Sequence, residues 1–146
     1  AYDYGDTGKM APIVKMHTLG HDFVPDPIHA GGLRYHGMAP LVSLHKDQGV
    51  IEAQAVPQSK TFDAARLFTQ NELALPAPEP AQALAVVQSE VEKAKEAGVT
   101  PSILFHMCGH GHFDAASYTR YLNGELEDFE LPEERIEHAL ETVPQV

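Results

Sequence analysis

The chain has 146 residues, 43% of them hydrophobic, and a formal charge of −11 from 10 Lys plus Arg against 21 Asp plus Glu. A chain of this size buries ~70% of its extended surface on folding, enough for one domain with a real core. An acidic balance without clustered cations excludes a nucleic-acid partner, and no apolar run approaches the ~20 residues that span a bilayer, so no membrane is expected as a partner either. Cys108 is the only cysteine, which rules out an internal disulfide and fits a reducing compartment. With no basic-then-apolar leader, the default expectation is a cytoplasmic location.

Residues 1–37 are rich in Gly, Pro and His. Gly5, Gly8, Gly20, Pro25, Pro27, Gly31 and Gly32 read as turns and close backbone approaches. Residues 11–16 fit a short strand or the first turn of a helix. A loop this long is uncommon in a compact domain unless it is functional, so 1–37 reads as a loop-rich site segment.

Residues 38–124 are more regular. Pro40 opens a helix to about Asp47, and Gly49 ends it. Residues 50–56 partly alternate between Gly49 and Pro57, which predicts a strand. Ser59 or Thr61 caps the next helix, with Phe62, Ala65, Leu67 and Phe68 on one face. After a Pro-rich connection over 71–80 comes a longer helix with Pro80 in its first turn. Leu84, Val87, Val91 and Ala94 give it helical spacing, and Gly98 closes it. The apolar run 103–107 suits a buried parallel strand. Asp114 caps a helix through Tyr118, Tyr121 and Leu122 that Gly124 ends. In the acidic segment 125–146, Pro132 starts a last helix with Ile136, Ala139, Leu140 and Val143 on one side. Its carboxylates read as a solvated face or as a docking surface for a basic partner. The fold class expected is α/β, a partial parallel sheet with flanking helices. Two strands are too few for a covered parallel sheet, so the chain looks like a piece of a larger domain.

Three places could carry chemistry. In 29–37 the pair Gly31-Gly32 is either a tight turn or a close backbone approach to a ligand or phosphate. Glu79 stands at the start of the long helix, where a carboxylate complements the helix dipole or steers protonation of a bound ligand. At the end of the 103–107 strand, His106, Cys108, His110, His112 and Asp114 fall at alternate positions. That spacing invites a zinc module, but side chains along an extended strand diverge where zinc needs three or four convergent ligands, so no metal is expected. A nucleophilic Cys108 beside a histidine is a further option.

Several stretches together resemble one family, the tryptophan synthase β chain in its stand-alone, second-type branch. They are Tyr4-Gly5-Asp6-Thr7, residues 15–25, residues 28–42, Glu79 after Pro76-Ala77-Pro78, and Gly109-His110-Gly111-His112-Phe113-Asp114. The resemblance implies the C-terminal part of a fold-type II pyridoxal-phosphate enzyme that joins serine to indole. It places Cys108 where the family has a hydroxyl residue against the cofactor's pyridine nitrogen. Glu79 matches the carboxylate beside the ring, the backbone of Gly109, His110 and Gly111 walls the pocket, and Gly31-Gly32 lies near the site. By the same resemblance Pro80, Gln82 and Leu73 depart from Ser, His and Gly, and Gly8-Lys9-Met10 replaces a more apolar stretch. The His-Lys-Asn motif of the Schiff-base lysine is not matched by His45-Lys46-Asp47, and the phosphate-cradling Gly-rich loop is not found. The cofactor is therefore expected to be shared with a missing N-terminal part, which becomes the expected partner unless the chain self-associates. The alternative is a non-catalytic remnant that binds a partner or small ligand.

Overall fold

The computed structural model describes all residues, 1–146. Its elements are β1 (Tyr2–Tyr4), β2 (Ile13–Lys15), α1 (Pro40–Asp47), α2 (Gln58–Glu72), α3 (Pro78–Ala97), α4 (Ala115–Leu122) and α5 (Glu133–Leu140). Two single-turn 3-10 helices, Gly31–Leu33 and Gly111–Phe113, interrupt the connections. The chain divides into two compact units.

The first unit comprises Ala1–Pro27, Arg34–Gln54 and Glu130–Val146. Strands β1 and β2 pair antiparallel, with Tyr2 opposite Lys15, Asp3 opposite Val14 and Tyr4 opposite Ile13. Asp3 and His21 are fully buried beside this hairpin. The Asp3 carboxylate accepts from Thr18 Oγ1 at 2.6 Å, His21 Nδ1 at 2.7 Å and Tyr4 N–H at 2.8 Å. Burial alone would raise this carboxyl. The three hydrogen bonds outweigh it and hold Asp3 below the usual carboxylate range. Helix α5 packs through Arg135, whose guanidinium donates to both Asp26 oxygens at 2.8 Å and lies over the Phe23 ring. Gly20 lets α5 approach: its φ is +99°, and a Cβ there would sit 2.2 Å from the Ala139 carbonyl oxygen. Helix α1 buries only Ser43 and leaves Leu41, Val42 and Leu44 exposed.

The second unit comprises Ile28–Leu33 and Ala55–Phe129. Its core is the packing of α2 on α3, where Phe62, Ala64 and Ala65 meet Ala81 and Leu84. Phe62 is clasped edge-on by Tyr118 and stacked on Tyr121, at centroid distances of 5.0 and 5.5 Å. Helix α3 ends on Gly98 in the left-handed conformation. Helix α2 ends likewise on Leu73, at φ 56°, a conformation that costs a side-chain-bearing residue about 1 kcal/mol.

The sheet differs from expectation. The only sheet is the antiparallel β1–β2 hairpin, not a partial parallel sheet. Residues 50–56 and 103–107 are not strands, and 103–107 makes no main-chain hydrogen bond within the chain. A strand is defined by its ladder, and this chain supplies these runs with no neighbour to pair with. Neither Ser59 nor Thr61 caps α2, which begins after Pro57. Instead the Thr61 hydroxyl donates to the Pro57 carbonyl, and the Ser59 hydroxyl and N–H donate to Asp128. Leu67 is half exposed rather than part of the buried face. Asp114 occupies the N-cap position of α4, but its side chain makes no capping bond.

Candidate functional site

The residues singled out by sequence lie in the second unit, around the N-terminus of α3. Pro76, Pro78 and Pro80 are fully buried. Their fixed φ angles suit an extended entry into a first helical turn, where no N–H is needed. Alongside runs 109–111, bridged antiparallel through Pro76 and His110. Ala77 N–H donates to the Gly109 carbonyl at 3.0 Å, and Gly111 N–H donates to the Leu75 carbonyl at 2.8 Å. Tyr118 clamps the pair by donating its hydroxyl to the Pro76 carbonyl at 2.6 Å. The approach is so close that a Cβ on Gly111 would lie 2.4 Å from the Pro76 oxygen. Gly111 is thereby explained, since the chain closes on itself there and leaves no room for a side chain, while at Gly109 a Cβ would lie 3.1 Å from the Ala77 Cβ, a tight contact.

Glu79 stands in the first turn of α3, and its Oε1 accepts from the Gly32 N–H at 2.9 Å. The 3-10 turn Gly31–Leu33 is thus tied to the same helix end. His29, just before that turn, is held from three directions. Its N–H donates to Gln58 Oε1 at 2.9 Å, Nδ1 meets Ser117 Oγ at 2.8 Å, and an Arg120 nitrogen lies 3.2 Å from Nε2. Arginine can only donate, so Nε2 carries the lone pair and Nδ1 donates its proton to Ser117.

Cys108 is exposed at the rim of an open depression of about 650 Å³, which Met107, Gly109, His110, His112, Thr69, Leu73 and Leu75 also line.

Three curated relatives align over most of the chain. The tryptophan synthase beta chain 2 of Aquifex aeolicus is 52% identical over 127 residues, 87% of this chain and 29% of the relative. The tryptophan synthase beta chain of Thermococcus onnurineus is 50% identical over 133 residues, 91% of this chain and 30% of its own length. For the tryptophan synthase beta chain 2 of Methanosarcina mazei the figures are 49%, 126 residues, 86% and 28%. The chain is a relative of the tryptophan synthase β chains. It spans about three tenths of the length of those it matches, so it corresponds to a piece of such a chain. No family model matches it.

The candidate site residues fall into two groups. Glu79 and Gly32 are in direct contact, with Gly31 beside them in the same turn. Cys108, Gly109 and His110 face the depression, whereas Gly111 is buried in the ladder that joins 109–111 to the start of α3. Glu79, Gly31 and Gly32 do not line that depression. Asp114 couples the groups electrostatically: burial first, and then the charge of Glu79, raise its carboxyl, while His110 pulls the other way. Burial and then Asp114 push the Tyr118 phenol up as well.

The alternate residues His106, Cys108, His110, His112 and Asp114 do not converge. No three His, Cys, Asp or Glu side chains gather at metal-binding separation. The His29–Ser117–Arg120 contact was not legible in the sequence, because its partners lie 88 and 91 residues away. Pro76 was noticed only as part of a proline run, yet its carbonyl is what Tyr118 grips.

Proposed function

We propose that this chain supplies one wall of the pyridoxal-phosphate site of a tryptophan synthase β-like lyase, which joins serine to indole, and that it works only together with the rest of such a protein. The observation that carries the reading is the ladder between 75–77 and 109–111. It joins two separate matched motifs at one helix end, with Glu79 three residues beyond the bridge.

The residues present fit such a cofactor in part. Cys108 offers a thiol, a weak donor, at the rim of a depression large enough for a ring, and Gly109 and His110 wall it. No lysine or arginine lines that depression, so a Schiff-base amine and a phosphate partner must come from elsewhere. When bound, pyridoxal phosphate supplies an electron sink for reactions at the amino-acid substrate. Cys108 would be the residue that meets the cofactor's pyridine nitrogen, as a weak thiol donor. Glu79 holds or moves a proton at Oε1 or Oε2, and the Gly32 N–H fixes the carboxylate's direction.

The test combines the chain with the separately produced remaining portion of the Aquifex aeolicus relative. Cofactor absorbance and tryptophan formation from serine and indole are recorded together. Both are expected only in the mixture, and Glu79→Gln is expected to lower turnover about 10²–10⁴-fold with the absorbance kept. A mixture that forms a complex but never binds the cofactor would sink the reading.

A further inference from the structure

Gly32 can direct the Glu79 carboxylate only if the Gly31–Leu33 turn is itself held, because a single exposed hydrogen bond of 2.9 Å does not fix a loop. The turn has no side chain at its first two positions with which to anchor itself. The main-chain bond from the Leu33 N–H to the Ala30 carbonyl, at 3.0 Å, closes it without attaching it to another element. The attachment comes from upstream, where Ala30 is buried and His29 reaches two helices. The His29 N–H donates to Gln58 Oε1 on α2, its Nδ1–H donates to Ser117 Oγ on α4, and its Nε2 accepts from Arg120 on the same helix. Those anchors are tied in turn. Gln58 Nε2 donates to the Glu127 carbonyl at 2.5 Å, and Arg120 donates to the Glu125 carbonyl at 3.4 Å. The His29 ring also stands edge-on to the buried Phe62, at a centroid distance of 6.4 Å.

We infer that His29 is a positioning residue for Glu79: through the Gly31–Leu33 turn it fixes the Gly32 N–H, and with it the direction of the carboxylate. This rests on the reading above that Glu79 holds or moves a proton, and it adds the residue that decides where the proton is held. A histidine suits the task because one small, rigid ring offers a donor and an acceptor at fixed angles. Ser117 and Arg120 are three residues apart on α4 and share a helix face, so a single ring can meet both while its main chain runs on into the turn. The contacts then lead from α4 to the start of α3 by way of His29, Gly32 and Glu79. A misplacement of about 1 Å at a reacting group costs on the order of 10²-fold in rate, so a loosened turn is felt in turnover.

Nuclear magnetic resonance on the chain alone supplies the first test. Glu79→Gln is expected to shift the Gly32 amide resonance, because a charged acceptor is replaced by a neutral one. His29→Phe keeps a ring but no hydrogen-bonding nitrogen. In that variant the Gly32 amide is expected to exchange with solvent at least about tenfold faster and to stop responding to Glu79→Gln. His29→Asn keeps a donor near the Nδ1 position and is expected to restore most of the response. Ser117→Ala leaves His29 in place and is expected to reproduce part of the loss, and it carries the comparison if His29→Phe does not fold. In the complex with the remaining portion of the Aquifex aeolicus relative, His29→Phe is expected to lower kcat about 10–100-fold, with KM for serine and cofactor absorbance kept. It is expected to cost nothing further in a Glu79→Gln background, whereas a residue that only supports the fold would add its loss. A Gly32 amide that behaves as in the parent in both His29→Phe and Ser117→Ala, or additive losses in the double variant, overturns the inference. A mixture that never binds cofactor, with the Gly32 response lost in His29→Phe, sinks the proposed function and leaves His29 as the residue that directs Glu79.

Discussion

Asp3 shows what a single buried side chain does in the first unit. It is fully buried, and three donors converge on it from β1, Thr18 and His21. Removing this buried carboxylate leaves the Thr18, His21 and Tyr4 donors unsatisfied, so Asp3→Ala is expected to destabilise the protein by about 3 kcal/mol in urea titration at neutral pH. The folded carboxyl lies below its unfolded value. Its contribution is therefore present in full above about pH 4 and is lost as pH falls through the folded pKa. The parent should lose stability over that acid window, and Asp3→Ala should lose less. Equal acid slopes in the two proteins would count against the hydrogen-bond account. Nothing in the sequence marked Asp3, because its partners are 15 and 18 residues away along a loop that periodicity does not describe.

Among the elements, helices were more legible than strands: the run 11–16, read as a short strand or a first helical turn, holds β2, whereas 50–56 and 103–107 are not strands. Pro40 and Gly49 bracketed α1, and Gly98 marked the end of α3, because a helix satisfies its backbone internally and its ends need residues with particular φ. The end of α2 is the exception. Leu73 adopts φ 56° where the family resemblance led one to expect glycine, and its side chain is 90% exposed. Leu73→Gly is expected to raise stability by about 1 kcal/mol, since it removes a left-handed strain without removing a buried contact. A lower melting temperature for this variant would mean that the Leu73 side chain packs against something other than this chain. The runs 50–56 and 103–107 have strand composition, but composition states a preference, and a ladder requires a partner.

On the scale of the whole molecule, large apolar side chains remain in water. Met10, Leu73, Leu104 and Phe113 are each about nine-tenths exposed or more, and α1 turns Leu41 outward. No helix is long and apolar enough to cross a membrane. Surface of this kind is expected to be covered in the functional assembly. Addition of the remaining portion of a tryptophan synthase β relative should therefore raise the melting temperature in a concentration-dependent way. An excess of 100 times Kd corresponds to about 2.7 kcal/mol. A melting temperature that ignores the added part would argue for a chain that works without it.

The sequence by itself determined the helices, the family likeness, and the two short motifs at Glu79 and 109–111. Each of these is written in local spacing or in residues whose backbone freedom is unusual. Only the tertiary structure decided that Glu79 is held by Gly32, that 109–111 is laddered to 75–77, that His29 reaches Ser117 and Arg120, and that the expected parallel sheet is missing. Those facts depend on pairs 32 to 91 residues apart, or on a ladder that the runs 50–56 and 103–107 do not form within the chain. Such pairs leave no periodic trace, because they form only when the whole chain has closed.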